Sequence, residues 1–160
     1  MERIIFMVIR RLFIAPIWYY KIKKASKNEK LSEEEKYEVL HKIVVKINKI
    51  ANVNIKVEGL NNIPEKNGYI LFPNHQGLFD ALLLLGTQNK PFTFVLKKEI
   101  ENTFLIKDII KLLKAQVIDR NDLRQSLMVI NNMTNEVKEG RNYVIFPEGT
   151  RSKNGNNLLD

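Results

Sequence analysis

Four short apolar runs recur along this chain, at 68–72, 91–96, 115–118 and 142–146. Each is bounded by glycine, proline, asparagine or charged residues, and each has the length of a strand rather than a helix. The segments between them change period. Residues 78–85, 104–114 and 123–137 carry apolar side chains at helical spacing. Strands alternating with helices predict an α/β fold, with a largely parallel sheet flanked by helices. A chain of 160 residues is long enough to bury a core in one such domain.

Upstream of the alternation, Ser32 followed by Glu35 is a capping-box signature. It opens a helix whose apolar face is Tyr37, Leu40, Ile43, Val44, Ile47 and Ile50. His41 lies on this helix among lysines and reads as a partly exposed surface residue. The alternation of residues 52–57 predicts one more strand, and 59–67 reads as a turn-rich connection. The chain shows no internal repeat and no low-complexity segment.

The chain has no cysteine, which excludes disulfides, thiolate zinc sites and cysteine nucleophiles. Two histidines argue against a multi-histidine metal site, so no metal is expected. The formal net charge is +8. Residues 1–30 hold eight basic side chains (Arg3, Arg10, Arg11, Lys21, Lys23, Lys24, Lys27 and Lys30) against Glu2 and Glu29. The remainder is nearly balanced, without the spread of basic charge expected of a nucleic-acid surface. A basic segment beside apolar residues points instead to an anionic membrane face.

That segment reads ERIIFMVIRRLFIAPIWYYKIKK. Its longest apolar run is broken by Arg10 and Arg11, each costing about 2.5–3.5 kcal/mol at a bilayer centre, which disfavours a simple span. No small-residue cleavage site follows, as a signal peptide would require. On a helical wheel Arg3, Arg10 and Lys21 form one stripe, with Arg11 beside it. Ile5, Phe6, Ile9, Phe13 and Trp18 lie mostly away from it, and Trp18, Tyr19 and Tyr20 are residues that favour a membrane interface. The expectation is an amphipathic, membrane-associated helix in residues 1–30, kinked near Pro16, ahead of a folded domain at 31–160. An ordinary first helix packed on the core is the alternative.

Two constellations carry the chemistry. The first is GYILFPNHQGLFD, residues 68–80. Residues i and i+5 of a continuous helix are about 140° apart, so His75 and Asp80 meet only if the histidine lies in a loop before the helix. Pro73 ends the strand and Gly77 tolerates a tight backbone, which suits that layout. Asp80 is the one charge in the apolar LFDALLLL, and a buried carboxylate needs a partner. A histidine oriented by a carboxylate is a general-base arrangement; a capped helix with an internal hydrogen bond has the same spacing. The second constellation is NYVIFPEGTRS, residues 142–152. Gly149 lets backbone N–H groups point at a ligand, and Thr150 and Arg151 can bind phosphate oxygens. A tight turn with a salt-bridged arginine reads the same way. Both constellations follow an apolar strand, so a parallel sheet brings them to the crevice at its carboxyl edge.

NHQGLFD matches the N-H-x-x-x-x-D motif of the glycerolipid acyltransferases, and FPEGTRS matches their second hallmark motif letter for letter. Between them, AQVIDRND resembles the intermediate motif of that family, with Lys114 where the motif opens on glycine and Val117 in place of phenylalanine. FVLKKE resembles its strand-then-lysine segment. From about residue 53 to residue 160 the chain resembles the lysophosphatidic acid acyltransferases (1-acyl-sn-glycerol-3-phosphate acyltransferases) of this family. The resemblance implies that His75 is the base taking a proton from the acceptor hydroxyl and that Asp80 orients it. It implies substrate binding by Asn74, Phe146, Pro147, Glu148, Gly149, Thr150 and Arg151, with Arg120 and Lys97 as further cations for the phosphate. The donor would be an acyl thioester, on coenzyme A or acyl carrier protein, and the acceptor lysophosphatidic acid in a bilayer of membrane phospholipids. Attack would be direct, which agrees with the absence of cysteine and of a Gly-x-Ser-x-Gly elbow. No metal or redox cofactor and no nucleic acid is implied. The expected location is the cytoplasmic face of the cell membrane, peripheral or monotopic. Glycerol-3-phosphate or another lysophospholipid as acceptor, and a non-catalytic membrane-binding module, are the competing readings. The family carries a further C-terminal stretch, so the domain is expected to be incomplete at its C-terminus and poorly active.

Overall fold

A computed structural model describes residues 2–77 and 79–148, with side chains from residue 14 onward. The expected binding residues Gly149, Thr150 and Arg151, and the side chains of the first thirteen residues, lie outside the described residues. Among the described residues five α-helices and four strands follow one another: α1 (Glu2–Lys27), α2 (Glu33–Ile50), β1 (Ile70–Leu71), α3 (Phe79–Thr87), β2 (Thr93–Lys97), α4 (Ile106–Leu113), β3 (Gln116–Ile118), α5 (Leu123–Lys138) and β4 (Tyr143–Val144).

The strands form a single parallel sheet in the order β1-β4-β2-β3. The α/β expectation therefore holds. The last strand does not extend the edge but enters between β1 and β2, pairing Tyr143 with both Ile70 and Thr93. This insertion puts residues some seventy positions apart on adjacent strands. Asn142 supports it from below: 2% exposed, it accepts from the Gly68 N–H and donates to Pro91 O and Asn67 Oδ1.

Alternation along the strands sorts the side chains between two faces. Leu71, Phe94, Leu96 and Val144 share a core with Ile22, Ala25, Tyr37, Leu40, Ile43, Val44, Leu85 and Leu112 of α1–α4. The opposite face carries Thr93 and Tyr143, with the Tyr143 hydroxyl bonded to Glu136 of α5. Gly68 lets β1 lie close under α5: its φ is +96°, and a Cβ there would stand 2.5 Å from the Val137 carbonyl oxygen.

The capping box forms as the sequence predicts. Ser32 Oγ accepts from the Glu35 N–H and Glu35 Oε2 accepts from the Ser32 N–H, at 3.1 and 2.8 Å. Tyr37, Leu40, Ile43 and Val44 are buried, whereas Ile50 at the end of α2 is exposed. His41 is half-buried, with Nδ1 2.7 Å from Leu85 O. The predicted strand at 52–57 is not formed. The segment is irregular, with Val53 and Ile55 half-buried and Val57 exposed, and among the described residues no strand offers it a ladder.

α1 runs through Pro16 as helix. Ile22 and Ala25 belong to the main core with Trp18 packed against it, and the Tyr19 ring lies tilted against Phe104 with centroids 4.8 Å apart. Ile17 and Tyr20 remain exposed. Among the described residues, no helix is long and apolar enough to cross a membrane.

Lys114, where the resemblance places a glycine, closes α4 in the left-handed conformation, φ 47° and ψ 45°. Only glycine adopts that conformation without cost. The lysine ammonium in turn reaches Glu33 Oε1 at 2.8 Å.

Candidate active site

In a parallel sheet every strand ends at the same edge, and here the loops after β1 and β4 are neighbours because those strands pair. The peptide N–H of Ile145 donates to Leu71 O at 2.9 Å, carrying the pairing one step beyond β4. The chain after β1 then turns through Pro73 and reaches His75 before α3 begins, as the i, i+5 spacing requires.

His75 Nδ1 lies 3.0 Å from Asp80 Oδ2. The same carboxylate oxygen accepts from the backbone N–H groups of Gln76 and Gly77, at 2.7 and 2.9 Å. Asp80 stands in the first turn of α3, where the unpaired N–H groups of a helix start favour negative charge. It thus fixes both the ring and the backbone that carries the ring. Burial pushes its pKa up, but the Gly77 and Gln76 N–H groups and the His75 ring outweigh burial and hold the carboxyl below its ordinary range. An ionised Asp80 facing Nδ1 selects the tautomer with the proton on Nδ1, which leaves Nε2 as the basic nitrogen.

The loop after β4 contributes two more contacts. Glu148 Oε1 accepts from the His75 N–H at 3.0 Å. The Phe146 ring lies against the imidazole, with centroids 4.2 Å apart and planes 28° from parallel. Phe146 is itself stacked on Phe94 of the buried core at 6.4 Å and 12°. The side chains of His75 and Asp80 are 19% and 23% exposed, so the pair is shielded but open to a ligand.

The structure thus joins His75, Asp80, Phe146 and Glu148 in one cluster, with Pro147 between the last two. Asn74 is exposed on the same loop. Lys97 ends β2 and Arg120 follows β3, at the same edge of the sheet. Lys97 thus stands one strand spacing from β4 and two from β1, and Arg120 follows β3, one spacing further out. Sequence reasoning missed Lys98, whose ammonium is 2.8 Å from Asp119 Oδ2. Neighbouring Lys97 is exposed. It also missed Phe94 as the support beneath Phe146. The pair of Phe-Pro endings marks where these strands stop, but nothing local marks which aromatic rings will stack.

A cavity of about 460 Å³ opens at the other end of the sheet, lined by residues that include Glu33, Tyr37, Thr93, Lys114, Glu136 and Arg141. Lys114 and Arg141 there pair with Glu33, and Arg141 also with Glu136. It holds no oriented base.

Comparisons with known proteins agree with this geometry. A family model described as Acyltransferase matches residues 54–159. A Mycoplasma pneumoniae protein named probable 1-acyl-sn-glycerol-3-phosphate acyltransferase is 30% identical over 128 residues, covering 77% of this chain and 47% of its own. The 1-acyl-sn-glycerol-3-phosphate acyltransferase of Pseudomonas aeruginosa is 36% identical over 103 residues, covering 64% of this chain and 39% of its own. The chain therefore spans less than half the length of these curated relatives. The crystal structure of the 1-acyl-sn-glycerophosphate acyltransferase PlsC from Thermotoga maritima superposes with a TM-score of 0.67 at 25% identity. That match covers 99% of this chain and 66% of the other.

Proposed function

Because this chain belongs to the acyltransferase family, we propose that it moves a fatty acyl group from an acyl thioester to the free hydroxyl of lysophosphatidic acid, giving phosphatidic acid. The observation that carries this reading is the 3.0 Å His75–Asp80 pair at the carboxyl edge of the sheet, held from the β4 side by Phe146 and Glu148. Nε2 of His75 takes the proton as the acceptor oxygen attacks the thioester carbonyl. The imidazolium so formed is stabilised by ionised Asp80. Collapse of the tetrahedral intermediate breaks the C–S bond, and the imidazolium returns its proton to the departing thiolate. A thioester is already activated, so a base and correct positioning are the main requirements.

The donor is the thioester of coenzyme A or of acyl carrier protein. Arg151, Thr150, Arg120 and Lys97 are the residues proposed for the acceptor phosphate. We further place the enzyme at the cytoplasmic membrane surface through α1. The exposed Ile17 and Tyr20 stand beside exposed Lys21, Lys23, Lys24 and Lys27, the pairing of apolar and basic groups that an anionic bilayer attracts.

The test is acyl transfer from a thioester to lysophosphatidic acid in vesicles, comparing the chain with His75→Ala. Turnover that His75→Ala abolishes is the expected result. Turnover that survives the substitution overturns the base assignment, and vesicle binding without turnover in either protein favours a binding module. The same assay with glycerol-3-phosphate and other lysophospholipids in competition identifies the acceptor.

A further inference from the structure

We infer that Glu148 and Phe146 are positioning residues for the catalytic base and do not contact the acceptor. The inference rests on the acyl-transfer reading above and assigns these two residues a different task from the remainder of their motif. The Glu148 carboxylate reaches across from the β4 loop and accepts the peptide N–H of His75 itself, at 3.0 Å. A carboxylate aimed at this loop is also a poor neighbour for an acceptor phosphate, because like charges repel. Phe146 covers one face of the imidazole at 4.2 Å, and Phe94, 4% exposed, backs it from the core.

With Asp80 on Nδ1, His75 is held in three ways: by its ring nitrogen, by one ring face and by its own backbone. Two of the three holds come from the β4 loop. The base is therefore placed by the sheet, through the β1–β4 pairing, as well as by its own helix. A loop residue held from both sides keeps Nε2 at a fixed distance from an incoming hydroxyl, which is where orientation contributes to rate.

The test separates this from acceptor binding. Glu148→Gln retains an oxygen that can accept the N–H; Glu148→Ala does not. Glu148→Ala is expected to lower kcat by about 10–100-fold, the worth of one hydrogen bond to a charged group, with KM for the acceptor little changed. Glu148→Gln should recover most of that loss. Phe146→Leu should lower kcat in the same manner, and Phe146→Tyr should not. Amide hydrogen exchange at His75 supplies a readout independent of turnover and should quicken by about tenfold or more in Glu148→Ala, as for the loss of one protecting hydrogen bond. Unchanged exchange at His75, or a raised acceptor KM with kcat intact, overturns the inference. If the parent chain shows no turnover at all, the acyl-transfer reading fails on its own, and the exchange of the His75 amide still decides whether Glu148 holds the loop.

Discussion

Replacing Asp80 by asparagine isolates its charge from its shape. The amide oxygen can occupy the place of Oδ2 and accept the Gln76 and Gly77 N–H groups, so the loop should stay in position. What disappears is the attraction between a carboxylate and the imidazolium formed at His75. At 3.0 Å and an effective dielectric of about 20, that attraction is about 5–6 kcal/mol. Both side chains keep partial contact with solvent, 19% and 23%, so screening leaves about 3–5 kcal/mol of imidazolium stabilisation. The expected fall in kcat is about 10²–10⁴-fold, at nearly unchanged KM. The assay is the initial rate of thiol release from an acyl thioester in vesicles saturated with lysophosphatidic acid. Asp80→Ala, tested in parallel, also removes the acceptor of the part-buried Gly77 N–H and of the exposed Gln76 N–H, and should cost a further ~1–3 kcal/mol in unfolding free energy. A folded Asp80→Asn enzyme retaining more than about a tenth of wild-type kcat would refute the electrostatic argument.

Four further outcomes are expected. Because the folded Asp80 carboxyl holds its proton less tightly than the unfolded one, its contribution to stability is full above the ordinary carboxylate range. It is lost as the pH falls through the folded-state value; denaturant melts on the acid side should show a shallower loss in Asp80→Asn than in the parent. Gly68→Ala forces a side chain into positive φ and against the Val137 carbonyl, and should destabilise by about 3 kcal/mol, measured by urea unfolding. Thr93→Val removes a hydroxyl that is buried without a partner, and should raise stability by about 1 kcal/mol in the same measurement. Lys114→Gly relieves the left-handed cap but breaks an exposed pair with Glu33, so thermal melts should show a net gain of about 0.5 kcal/mol.

What was legible in the sequence is what depends on neighbours along the chain. The Ser32–Glu35 box is a matter of three residues, and it forms. The His75–Asp80 contact is a matter of five, with Pro73 and Gly77 setting the turn, and the two groups meet. The apolar runs located all four strands, because a strand between helical layers must be apolar whatever it pairs with. Pairing itself is not local. Residues 52–57 alternate as a strand should, yet among the described residues no ladder partner stands beside them. The clamp on His75 was invisible for the same reason. It joins a peptide N–H to a carboxylate 73 residues away, and a backbone group leaves no mark on a sequence. Glu148 was legible as a site residue, but the group it bonds became apparent only once β4 was seen to lie beside β1.

Three successive peptide N–H groups, those of His75, Gln76 and Gly77, each already donate to a carboxylate. Consecutive amides in a glycine-containing turn would otherwise make a nest for the negative oxygen of a tetrahedral intermediate. In this turn that capacity is spent on holding the base. Two anionic side chains, Asp80 and Glu148, also sit beside it and would repel a second negative centre. In the proposed acyl transfer, the developing oxyanion would be met by donors other than these three amides.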